Sequence, residues 1–91
     1  MDGINILVAE DNIVNQVFIK EVLEDLEVEY EIVSNGEEAV EAVKAKTYDL
    51  IMMDCLMPVM DGFEATRTIK GLISNGDIKP LPIWALTANA M

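Results

Sequence analysis

Four short apolar runs, Ile4–Ala9, Tyr30–Val33, Leu50–Met53 and Ile83–Leu86, punctuate the chain and narrow its fold more than any other feature. Three of them lack strict polar/apolar alternation, as expected for parallel strands buried on both faces. Tyr30–Val33 carries Glu31, which suits an edge strand. Helical patterns separate the runs. Ile19, Val22, Leu23 and Leu26 follow i, i+3, i+4, i+7 and predict one apolar stripe, with Asn12 as the N-cap. Ala39, Val40 and Val43 mark a second helix, begun by a capping box of Asn35 with Glu38 or Ser34 with Glu37. Ala65, Ile69 and Leu72 mark a third, with Asp61 as cap and Glu64 three residues on. Asn75-Gly76 breaks the chain before Pro80 and Pro82 lead into the last run. Strands alternating with helices predict an α/β fold: a doubly wound parallel sheet with right-handed crossovers and strand order 2-1-3-4.

At 91 residues, one domain is expected, spanning 1–91. No apolar run approaches the ~20 residues of a bilayer span, and no membrane insertion is expected. A single cysteine precludes an internal disulfide and suits a reducing, cytoplasmic compartment. The net charge is −11, and the six basic residues form no run, which argues against nucleic-acid binding. Acids crowd between Glu21 and Glu41, either as a solvated helix face or as a docking face for a basic partner. Histidine is absent, so the chain supplies no imidazole for catalysis or metal binding.

The predicted order places Glu10 and Asp11 after the first strand, Asp54 after the third and Thr87 after the fourth. Strands one, three and four are neighbours in this order. Their carboxyl ends meet beside the topological switch point, where open α/β sheets bind ligands. Carboxylates gathered there repel, so one keeps a proton or a cation joins them. Hard oxygen donors select Mg²⁺ or Mn²⁺ over zinc. Asp54 could then act as a nucleophile toward a phosphoryl group, with the Thr87 hydroxyl bonding a phosphoryl oxygen and Ala88 leaving room for it. Each residue alone has a plainer reading: post-strand acids cap helices, Thr87 makes a turn, Cys55 fills space, and the methionines pack. The conjunction favours the chemical reading.

These motifs resemble the receiver domain of two-component response regulators. The likeness runs from Ile4 to Met91, through Leu7-Val8-Ala9-Glu10-Asp11-Asn12, Asn15-Gln16, Asn35-Gly36-Glu37-Glu38-Ala39, Tyr48 to Asp54, Met57 to Arg67, and Ala85-Leu86-Thr87-Ala88. The Asn15-Gln16 wording and the ending Thr87 to Met91 resemble receiver modules of hybrid sensor histidine kinases in particular. The resemblance implies a flavodoxin-like fold and a phosphorelay role. Asp54 matches the phosphoacceptor, charged by a histidine kinase or a histidine phosphotransfer protein. Asp11 matches the direct Mg²⁺ ligand, Glu10 an acid acting through water, and the Leu56 backbone carbonyl a further ligand. Thr87 matches the switch hydroxyl, and Pro58 and Gly62 the loop that shapes the pocket.

The family also carries a lysine at the end of a fifth strand, but no lysine follows Thr87 here, and Lys79 precedes the fourth strand. The fifth strand and last helix are missing too, so the receiver domain is expected to be C-terminally incomplete. It should bind Mg²⁺ yet have impaired phosphotransfer. Any enzymatic role would be limited to self-phosphorylation and autodephosphorylation. Alternatively, the chain is a non-signalling interaction module, or a homodimer joined at the fourth-strand edge. An aspartyl phosphohydrolase of the haloacid-dehalogenase kind is disfavoured, because the position two residues past Asp54, where that family places a second acid, is Leu56.

Overall fold

The computed structural model describes residues 3–54 and 59–86. Along them run β1 (Asn5–Ala9), α1 (Ile13–Asp25), β2 (Glu29–Val33), α2 (Gly36–Ala45), β3 (Leu50–Asp54), α3 (Gly62–Ser74) and β4 (Ile83–Leu86). Every pairing is parallel and the order is β2-β1-β3-β4, as the alternation of patterns requires. Cys55, Leu56, Met57, Pro58, Thr87 and Ala88, to which the sequence assigns roles, lie outside the described residues.

The register brings the strand ends level. Ala9 lies beside Val33 and Met53, and Asp54 beside Leu86. Strand side chains alternate between faces, so odd and even positions divide into two layers. Leu7, Ala9, Ile51 and Met53 pack under Ala39, Val40 and Val43 of α2 and Ala65 and Ile69 of α3. Ile6 and Val8 point the other way and meet Leu23 of α1, with Ile19, Ile32 and Met52 at the margin.

The second layer corrects the stripe expected on α1. Leu23 is buried and Ile19 partly so, but Val22 and Leu26 are 43% and 58% exposed. Among the described helices α1 is the one packed on this face, so only a narrow seam of it meets the sheet. Trp84, whose placement the sequence leaves open, stands 59% exposed on β4.

The caps follow the sequence closely. Asn12 Oδ1 accepts from the backbone N–H of Val14 at 2.9 Å and of Asn15 at 3.2 Å, and Asp61 Oδ1 accepts from Glu64 N at 2.9 Å. For α2 the structure selects Asn35 with Glu38: Asn35 Oδ1 accepts from Glu38 N at 2.8 Å. The Glu38 carboxylate reaches back to Ser34 N at 2.7 Å, one residue before the cap. Gly76, at φ +83°, turns the chain out of α3 in a conformation that costs other residues a Cβ clash.

Candidate functional site

Glu10 and Asp11 leave the end of β1, and Asp54 is the last residue of β3, its neighbour. A carboxylate oxygen from each of the three lies within 4.8 Å of the others. Asp11 is exposed, Asp54 partly buried, and Glu10 only 3% exposed. The strand ends thus bring Glu10, Asp11 and Asp54 together as expected. The other two site residues read from the sequence, Leu56 and Thr87, lie outside the described residues.

Glu10 is fixed from several sides. Its N–H donates to Val33 O at 3.0 Å, and its Oε2 accepts from Asn12 N at 3.1 Å. Its carbonyl accepts from Gln16 Nε2 in the first turns of α1. Burial pushes the Glu10 carboxyl above its usual range; the Asn12 N–H opposes this, and the neighbouring Asp54 adds to the rise. Acids packed this closely are relieved by a proton or by a cation, and the three oxygens suit a hard divalent ion.

Two contacts at the site escaped the sequence. Gln16 appears there only as part of a motif, although a long amide one turn into a helix that starts at the site is a natural second support for Glu10. Gly36 is the other. Its N–H donates to Met60 O at 2.8 Å, tying the start of α2 to the far end of the loop that follows Asp54. In the same loop Val59 sits at φ +68°, a costly region for a β-branched residue. Gly62, expected in this loop, is the buried first residue of α3.

The family model of the response regulator receiver domain matches residues 6–91. The chain is 46% identical over 93 residues to hybrid signal transduction histidine kinase B of Dictyostelium discoideum, covering 93% of this chain and 5% of that protein. It is 42% identical over 86 residues to the sensor histidine kinase GacS of Pseudomonas protegens, covering 94% of this chain and 9% of that protein. Among solved structures, the receiver domain of a Pseudomonas aeruginosa sensor histidine kinase, with magnesium coordinated in its active-site cleft, superimposes with a TM-score of 0.86 at 43% identity. That match covers 98% of this chain and 70% of the other. The receiver domain of a Saccharomyces cerevisiae response regulator, crystallised with a histidine phosphotransfer signalling protein, matches at TM-score 0.88 and 34% identity, covering 97% and 66%. The chain therefore belongs to the response regulator receiver domain family. It spans a small fraction of the kinases it matches.

Proposed function

We propose that this chain is the phosphoacceptor module of a phosphorelay, taking a phosphoryl group from a partner's phosphohistidine onto Asp54. The observation that carries this reading is the convergence of the Glu10, Asp11 and Asp54 carboxylates within 4.8 Å at the carboxyl edge of the sheet. The donor set fits Mg²⁺ or Mn²⁺: Asp11 and Asp54 would hold the ion directly and Glu10 through water, with the Leu56 carbonyl as a further donor. Once bound, the ion offsets the charge on the transferred group's oxygens. An Asp54 oxygen attacks phosphorus and forms the O–P bond. The P–N bond of the phosphohistidine breaks, and its electron pair returns to the ring nitrogen. Thr87 serves as the switch hydroxyl that bonds a phosphoryl oxygen.

The partner is a histidine kinase or a histidine phosphotransfer protein, and the module works in the cytoplasm as one domain of a hybrid kinase. The likeness to hybrid kinases supports this reading. Among the described residues no helix is long and apolar enough to cross a membrane. A second reading, self-association at the β4 edge, is supported by the exposed Trp84.

Incubation with a phosphorylated histidine phosphotransfer protein and Mg²⁺, read by intact mass, tests the proposal. A gain of one phosphoryl group is expected, abolished in Asp54→Asn. Absence of phosphorylation would sink the reading.

A further inference from the structure

A groove of about 330 Å³ runs between α1 and β2, with Ile13, Gln16, Val17 and Lys20 on one wall and Tyr30, Glu31 and Ile32 on the other. Ile13 and Val17 are exposed large apolar residues. Among the described strands, the one that forms the second wall is the edge of the sheet, paired with β1 alone. The register fixes which of its backbone groups are used. Glu29 N donates to Ile4 O at 3.0 Å, and Val33 O accepts from Glu10 N at 3.0 Å. In a parallel ladder alternate residues face the partner strand. Glu29, Glu31 and Val33 therefore turn their backbone toward β1, and Tyr30 and Ile32 turn their N–H and C=O groups to the open edge. The same two residues send their side chains into the groove. Main-chain bonding groups thus lie beside a groove that offers apolar Ile13, Val17 and Ile32 and the acid Glu31, the pairing used when an extended segment adds to a sheet.

Charge selects the occupant. Glu21, Glu24, Asp25, Glu27, Glu29 and Glu31 are all exposed on the second half of α1, the following turn and β2. The nearby cations are fewer: Lys20 on the groove wall, and Lys46, which is paired with Glu31. A second copy of the chain, itself at net charge −11, is repelled from such an edge. A basic strand is attracted to it. We propose that the β2 edge and the α1–β2 groove form a docking site for an extended basic segment, whose alternating apolar side chains enter the groove while its backbone pairs with Tyr30 and Ile32. This site is built from side chains other than the acidic cluster and stands independently of the phosphoacceptor reading.

The test uses the intact chain, isotope-labelled, titrated with an acetylated heptapeptide of alternating lysine and valine and followed by amide chemical shifts and hydrogen exchange. Saturable binding is expected, with slowed exchange at the Tyr30 and Ile32 amides. Val17→Lys places charge in the groove at a residue already 52% exposed, so the fold is kept and affinity falls by about tenfold or more. An alternating glutamate–valine peptide, and a lysine–valine peptide methylated on its pairing nitrogens, should weaken comparably. Equal binding by the methylated peptide would mean charge attraction alone and would overturn the proposal. So would full affinity in Val17→Lys, exchange changes confined to other strands, or no binding. Slowing of the same amides with protein concentration alone would assign the edge to a second copy and overturn it as well.

Discussion

Replacing Gly36 with alanine sets two effects of known size against each other. Gly36 opens α2, and its φ lies outside the left-handed region, so helix propensity alone favours the substitution by up to about 1 kcal/mol. The packing opposes it. A Cβ at Gly36 would lie 2.5 Å from Met60 O, 2.9 Å from Ala65 Cβ and 3.0 Å from Asp61 O. None of these is the far end of a flexible side chain: two are backbone carbonyls, and Ala65 is fully buried in the main core. Relief requires moving the loop away from α2 or shifting the start of α3. Such overpacking costs about 1–3 kcal/mol. Moving the loop also stretches the Gly36 N–H···O Met60 bond, worth about 1 kcal/mol. The net expectation is a loss of about 2 kcal/mol, which at an m-value of about 1 kcal/mol/M lowers the urea midpoint by about 2 M. Gly71→Ala is the matched control. That glycine lies within α3 with nothing within 4 Å of its added Cβ, so it should gain up to about 1 kcal/mol. Equilibrium urea unfolding of the three proteins reads both signs. A Gly36→Ala protein as stable as the parent would refute the claim that this close approach holds the loop.

The remaining expectations concern the core, the site and one surface pair. Ile69→Ala empties a fully buried position between α3 and the sheet and should cost about 2–5 kcal/mol, seen as a large fall in urea midpoint at unchanged slope. Added Mg²⁺ should raise thermal stability by about 2.7 kcal/mol at a hundredfold excess over its Kd. Chelation should reverse the gain and Asp11→Asn should largely abolish it; an unchanged shift in Asp11→Asn would remove that residue from the ligand set. Lys46 pairs with Glu31, lowering the Glu31 pKa from 4.5 and raising its own from 10.5. The pair's contribution is therefore present between those values. It fades as pH falls through the lowered Glu31 value, and again as pH rises through the raised Lys46 value. The stability gap between the parent and Lys46→Met should narrow at both extremes of pH, and a gap flat across pH would mean the lysine acts by packing over the Tyr48 ring alone.

Much of the fold is written in local pattern. The four apolar runs, the caps at Asn12, Asn35 and Asp61, and the turn at Gly76 are each fixed by residues a few positions apart. Strand order followed because the alternation of elements admits few topologies. That order by itself sets Glu10, Asp11 and Asp54 on neighbouring strand ends.

What only the tertiary structure decided depends on which surface each element meets. Val22, Leu23 and Leu26 share one predicted stripe, yet among the described helices α1 alone lies across this face of the sheet, and of the three Leu23 is the one buried. Periodicity gives the direction of a stripe but not the width of the surface opposite it. The tie from Gly36 to Met60 joins segments 24 residues apart and was invisible for the same reason. The backbone of Tyr30 and Ile32 faces the open edge because the register with β1 happens to use their neighbours. The sequence determined which acids this protein brings to its sheet edge. The packing of distant segments decided how Glu10 is braced, where the loop after Asp54 is pinned, and which strand is left open to a partner.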